Sequence, residues 1–227
     1  GHFMANIAHE FRTPLSALAA SIELLLVELD NLTRSEIQDL TNTLYLGILN
    51  LETLIDNLLE GASIETGNFR VFPAASGVRE IITSSYQVMA PLLRKYEQNL
   101  VIDLPDELPY VGADKRRIVQ VVVNLLSNAS RYAPSETEIR LSARVLPDWV
   151  EVSVSDQGPG IPQAYRDKLF SGSLLTRIED GLMKKGAGLG LSVVNAIVKA
   201  HGGEVGMRDH QGGGSVFWFT IPIIGEQ

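Results

Sequence analysis

Three stretches of this chain carry residues whose types and spacing point to chemistry. Near the start, His9 and Glu10 precede Arg12, Thr13 and Pro14. On a helix His9 and Thr13 are neighbours one turn apart, with Glu10 beside them. A solvated surface histidine is the competing reading for His9 alone. The pair opens like the zinc helix motif His-Glu-x-x-His, but Thr13 stands where the second histidine belongs, so that site is excluded. Pro14 inside an otherwise helical pattern removes a backbone hydrogen bond, and such local rule-breaking tends to mark function. Further along, Asn124, Asn128 and Arg131 are spaced four and three, so they share one helix face. Asparagine is a poor helix former. Two of them beside an arginine would supply a hard oxygen ligand for Mg²⁺ and a phosphate contact; a polar surface stripe is the alternative. Last come two glycine clusters, Asp156-Gln157-Gly158-Pro159-Gly160 and Gly186-Ala187-Gly188-Leu189-Gly190. Glycine admits close backbone approach to a ligand, and a helix N-terminus attracts phosphate. Neither cluster has the Walker A or the Rossmann spacing. Taken singly, each is equally a flexible turn.

The elements that must position these residues follow from periodicity. Met4, Ala8, Phe11, Leu15, Leu18, Ile22, Leu25 and Leu29 recur at alternating steps of four and three, a heptad stripe that predicts a helix over 4–29. This wheel puts His9, Thr13 and Ser16 on the outward side. A second stripe runs Ile37, Leu40, Leu44, Gly47, Leu51, Leu54, Leu58, widened by Ile48, Ile55 and Leu59. Thr33 with Glu36 reads as the capping box that opens the second helix. Two such helices form an antiparallel hairpin whose apolar faces are too wide to bury alone, so a second copy is expected to close a dimeric four-helix bundle. Packing of the stripe on the rest of the chain is the alternative.

Residues 67–77 read as a linker. Helices are expected over 78–96, over 115–131 with Asp114 as cap, and over 190–200. Strands are expected at 100–103, 110–111, 138–145, 149–155, 204–207 and 216–221. The first glycine cluster then follows a strand and the second precedes a helix. The mixture without regular alternation predicts an α/β sandwich with one sheet and its helices on one face.

Composition sharpens the division. The 227 residues carry 19 Lys and Arg against 27 Asp and Glu, a net charge of −8. Residues 1–66 hold two basic and ten acidic residues, and the remainder is neutral, so all of the net charge sits in the hairpin. A segment with two arginines and no lysine is ill suited to nucleic acid. No cysteine is present, which excludes disulfides and cysteine-based zinc sites. No apolar run approaches the ~18 residues that cross a bilayer. The expectation is a fragment that does not contact the membrane.

Taken together, the motifs resemble those of sensor histidine kinases. His9-Glu10-Phe11-Arg12-Thr13-Pro14-Leu15 is similar to the H box, Asn124 to Pro134 to the N box, and Asp156 to Pro162 to the first glycine box. Gly186 to Leu191 is similar to the second glycine box, and His201-Gly202-Gly203 to the ending typical of the family. The resemblance implies a dimerisation and histidine-phosphotransfer hairpin over 1–66 and a GHKL-type ATP-binding domain over 78–227. It implies a cytoplasmic catalytic fragment of a longer protein.

The resemblance also implies roles. ATP sits between the asparagine helix and the second glycine box, contacting Gly158, Gly160, Gly186, Gly188 and Gly190. Asp156 accepts from the exocyclic amine of adenine, which guanine lacks at that position. Tyr132 covers the base or ribose. Asn128 and Asn124 hold Mg²⁺. Arg131 stands where the family often has lysine, and Lys184 and Lys185 approach the phosphates from a lid over 159–187. His9 is the nucleophile, Glu10 its general base, and Arg12 steadies phosphate charge. Phospho-His9 then passes its group to an aspartate of a response-regulator receiver domain, and Thr13 completes the pattern that dephosphorylates that partner. One box departs from the family: Phe170 has no second aromatic beside it in Ser171 to Leu175. A dimeric scaffold with weak nucleotide binding and a GHKL ATPase without autophosphorylation are the rival readings.

Overall fold

The computed structural model describes residues 2–166, 169, 170 and 188–224, with side chains for these except 2–10, 65, 188 and 189. Two long helices, α1 (His2–Glu28) and α2 (Arg34–Glu65), form the expected hairpin. Helix α1 runs through Pro14 without interruption. The capping box at the start of α2 is complete: the Glu36 N–H donates to Thr33 Oγ1 (3.3 Å), and the Thr33 N–H donates to Glu36 Oε2 (2.8 Å). The Thr33 hydroxyl and backbone amide, in that order, hold the Glu36 carboxyl below the usual range.

The heptad stripe divides in two. Phe11, Leu18 and Leu25 are half-buried, and Pro14 and Ser21 beside them are buried. Leu18 sits on Gly47, where an added Cβ would lie 2.7 Å from its Cδ2, so glycine sets how closely the helices approach. The alternate stripe residues turn outward: Leu15 is 52% exposed, Ile22 48% and Leu29 55%. On α2 the widening residues Ile48, Ile55 and Leu59 are exposed as well.

The second unit is built on a five-stranded sheet. Its strands are β2 (Asn99–Asp103), β4 (Glu138–Val145), β5 (Trp149–Ser155), β7 (Ser215–Pro222) and β6 (Val205–Asp209), in that spatial order. Only the β2–β4 pair is parallel. Inward residues alternate along β7, with Phe217, Phe219 and Ile221 buried. They meet the apolar faces of α3 (Val78–Lys95), α4 (Lys115–Tyr132) and α6 (Gly188–Ala200) in one continuous core. A four-residue helix, α5 (Gln163–Arg166), follows the first glycine cluster.

Two expectations need correction. The linker is shorter than residues 67–77, because Ala74–Gly77 form strand β1. And the sheet is not single: β1 pairs antiparallel with β3 (Tyr110–Ala113) in a separate two-stranded sheet. Alanine, serine and glycine carry little strand propensity, and the pairing with β3 overrides it.

His201 splices the end of α6 to the start of α4. Its Nε2 accepts from the Asp114 N–H (2.9 Å) and its Nδ1 lies 2.7 Å from the Ile197 carbonyl oxygen. One partner donates and the other accepts, so the ring is held as the neutral Nδ1–H tautomer. Gly203 follows where an added Cβ would overlap the Thr220 carbonyl oxygen.

Candidate nucleotide site

The ends of α4 and β5, the first glycine cluster, the start of α6 and the start of β7 converge on a cleft of about 510 Å³ including its mouth. Asn128 and Tyr132 line it from α4, and Asp156, Gly160 and Ile161 from the chain beyond β5. Leu191 lines it from α6, and Ser215 and Phe217 from β7. The helix face read from Asn124, Asn128 and Arg131 thus delivers one asparagine, with Tyr132, to the cleft.

Asp156 is the carboxyl group among the cleft's lining residues. It is 5% exposed. Its Oδ1 accepts from the Gly158 N–H (2.8 Å), and its own N–H donates to the Ser215 carbonyl (2.9 Å). Burial pushes its carboxyl above the usual range, while the Gly158 and Ser215 backbone amides and His210 pull it back. A buried carboxylate on a largely apolar wall is a strong acceptor, suited to an N–H donor on a flat ring. Gly158 is required here, since a Cβ would come within 2.8 Å of Asp156 Oδ1 and 3.0 Å of the Tyr132 carbonyl. Gly160 adopts φ +73°, the left-handed region that favours glycine.

Asn128 has a buried Nδ2 with no hydrogen-bond partner. An amide left unsatisfied in a cleft wall is costly in isolation and is accounted for by a polar ligand. Asn124 is placed differently. Its amide is turned to α2, where it exchanges hydrogen bonds of 3.2 and 3.3 Å with Asn57. Gly190 lies against the same pair, with room for a Cβ 3.5 Å from Asn124 Oδ1. Arg131 is half-buried and does not line the cleft.

Arg12 and Thr13 are exposed on α1. His9 and Glu10 fall on the same helix, their side chains outside the described ones. Gly188 opens α6, whereas Lys184, Lys185 and Gly186 lie outside the described residues, as does most of the lid read over 159–187. The retained aromatic of that region, Phe170, meets Phe217 edge-on with ring centroids 6.2 Å apart, and its carbonyl accepts from Asn195 Nδ2 (3.0 Å).

Of the cleft's apolar walls, Ile161 and Leu191 fall within the two glycine boxes, whereas the motifs do not single out Leu169 and Phe217. The alternation of β7 was the available signal for Phe217. Asn57 was missed too, although a polar residue between Leu54 and Leu58 on an apolar stripe stands out.

A hard divalent cation needs oxygen ligands. No cluster of three or more His, Cys, Asp or Glu residues is present among the described residues. The donors on hand, asparagine amides, fit an ion that arrives on phosphates and keeps waters, as Mg²⁺ does.

The cleft and its sheet define an ATP-binding unit of the GHKL class joined to a helical hairpin. Family comparison agrees on both parts. Residues 1–67 match the His Kinase A (phospho-acceptor) domain, and residues 113–224 match the histidine kinase-, DNA gyrase B- and HSP90-like ATPase. The chain is 32% identical over 221 residues to the alginate biosynthesis sensor protein KinB of Pseudomonas aeruginosa, covering 97% of this chain and 36% of that protein. It is 30% identical over 222 residues to the adaptive-response sensory kinase SasA of Synechococcus sp. strain JA-3-3Ab, covering 97% and 58%. Among solved structures, histidine kinase ThkA in complex with response regulator protein TrrA aligns with a TM-score of 0.65 at 26% identity, over 99% of this chain and 62% of that one. The chain belongs to the sensor histidine kinase family. It spans between about a third and three fifths of the length of these two curated relatives.

Proposed function

We propose that this chain transfers the γ-phosphoryl group of ATP to His9 and passes it on to an aspartate of a response-regulator receiver domain. The observation that carries the reading is the buried Asp156 carboxylate facing the same cleft as the orphaned Asn128 amide. One group suits an adenine amine and the other the polar remainder of a nucleotide. The solved ThkA complex holds a response regulator, and likeness to it supports the partner class.

In this reading the neutral His9 ring attacks the γ-phosphorus through one nitrogen. The N–P bond forms as the bond to the β–γ bridging oxygen breaks, and ADP leaves with that electron pair. Glu10 takes the proton from the other ring nitrogen. Arg12 lies one turn on and steadies the phosphoryl oxygens. Asn128 and Asn124 would hold Mg²⁺ carried on the nucleotide, which would supply neutralisation of phosphate charge. Gly188 and Gly190 at the start of α6 would face the phosphates; phosphate roles for Arg131, Lys184, Lys185 and Gly186 rest on the family resemblance alone.

Two units divide the work: the hairpin over 1–66 and an ATP-binding domain that begins at β1, with the stretch between as connection. The hairpin pairs with a second copy through the outward residues Leu15, Ile22, Ile48 and Ile55, an apolar face that the single chain leaves uncovered. Thr13 serves dephosphorylation of the partner. No helix among the described residues is long and apolar enough to cross a membrane.

Labelling with ATP carrying a marked γ-phosphate tests the proposal. Protein-bound label that is acid-labile and base-stable supports it. Steady ATP hydrolysis without protein label would instead identify an ATPase, and failure to bind nucleotide a scaffold.

A further inference from the structure

Asn57 and Asn124 are both buried, at 5% and 4% exposure, on different units. Asn57 belongs to α2 of the hairpin and Asn124 to α4 of the ATP-binding unit. Each amide donates to the other's oxygen, at 3.3 Å and 3.2 Å. One turn further along α2, Glu60 pairs with Arg117 of α4, and the Arg117 guanidinium lies over the Phe69 ring of the connection at 5.3 Å. Two polar clasps therefore fix α2 on the polar face of α4. Between them on α4, Gln120 has a buried Nε2 without a partner.

This clasp meets the nucleotide site at one atom group. Asn124 belongs to the pair read as the Mg²⁺–phosphate asparagines, and Gly190 at the start of α6 lies against it. Helix N-termini favour phosphate. The reciprocal pair takes one lone pair of Asn124 Oδ1 and fixes the amide toward α2, so the side chain must leave Asn57 to turn its oxygen to a nucleotide-borne cation. Breaking the pair costs little once water reaches both amides, because each hydrogen bond is exchanged for one with solvent.

We propose that Asn57 is a positioning residue that makes docking of the ATP-binding unit on α2 and loading of Mg²⁺-nucleotide compete for Asn124. The docked arrangement withholds Asn124; nucleotide with its cation claims it and releases α2. The inference rests on the reading that Asn124 meets the phosphate end of ATP.

Calorimetry on the full chain with a non-hydrolysable ATP analogue and Mg²⁺ provides the test, with adenosine as the control for an intact Asp156 pocket. Asn57→Ala is expected to tighten the Mg²⁺-analogue complex by roughly three- to tenfold, the scale of one or two neutral hydrogen bonds, while adenosine affinity stays the same. Glu60→Gln loosens the same docking without touching Asn124, and it is expected to move affinity in the same direction. It decides the matter should Asn57→Ala lose adenosine binding. Asn124→Ala is expected to weaken the analogue. If Asn124→Ala weakens binding while Asn57→Ala and Glu60→Gln leave it unchanged or weaker, competition is overturned and the Asn124 reading stands. If Asn124→Ala has no effect, the Asn124 reading fails and the competition falls with it. Because the chain has no cysteine, two introduced at Glu52 and Lys199 report docking through spin-label distances. Mg²⁺-analogue is expected to lengthen the distance in the parent, and an unchanged distance contradicts release.

Discussion

At the residue scale the account turns on Asp156. Its buried carboxyl has a pKa raised above the unfolded value. Below the unfolded pKa it is protonated in both states and costs nothing; as pH rises through the folded pKa, stability is lost. Asp156→Asn removes that ionisation. The ligand-free variant should melt at a higher temperature than the parent at neutral pH, with the gap closing on acidification, as read by calorimetric scans across pH. The same change should weaken ATP by ~1.5–3 kcal/mol, the range for a hydrogen bond to a charged group, and relax rejection of GTP, since an amide donates as well as accepts. Thr13 lies one turn from His9 on α1, and in the proposed function it would hold water in line with the partner's phospho-aspartate, whereas the attacking atom of autophosphorylation would be a ring nitrogen. Thr13→Ala should spare autophosphorylation and slow regulator dephosphorylation by up to roughly a hundredfold; equal losses in both rates would assign it a structural role beside Pro14. Motif spacing made Asp156, Asn128 and Tyr132 legible because each is fixed by its neighbours along the chain. Asn57 and Phe217 reach their places through pairings across many residues, which spacing does not encode.

At the element scale the hairpin shows what periodicity can and cannot resolve. The two apolar stripes identify the helices and Thr33 with Glu36 the capping box, since a 3.5-residue repeat and a local cap are properties of the segment itself. The stripes do not separate the half that packs inside one chain from the half left outward, because both halves are apolar. The distinction alters the mutational test. Leu18 packs on Gly47 within the hairpin, so Leu18→Glu would disrupt the helix pair. Ile22→Glu and Ile55→Glu act on the outward face, and light scattering should find monomers that still bind nucleotide. Strand β1 escaped the reading because its Ala-Ala-Ser-Gly composition resembles a linker and only β3 makes it a strand. Gly203 is the converse case, a position that local turn chemistry marks and packing enforces. Gly203→Ala drives a Cβ into the Thr220 carbonyl, and denaturant unfolding should show a loss of roughly 1–3 kcal/mol, the range for overpacking.

At the scale of the whole molecule, an acidic hairpin and a neutral ATP-binding unit are joined by a short connection and by the polar clasps of Asn57 with Asn124 and Glu60 with Arg117. In the proposed function, that arrangement separates His9 as phosphate acceptor from the cleft that would hold the donor. A histidine on one unit and a carboxylate pocket on the other should therefore be separable by mutation. The most direct measurement is made on His9→Gln, comparing phosphate incorporation from γ-labelled ATP with ATP affinity by calorimetry. Acid-labile, base-stable label is expected to disappear while affinity stays within about twofold of the parent, a shift of less than ~0.5 kcal/mol. Label persisting on the variant would contradict the assignment of His9 as the phosphate acceptor.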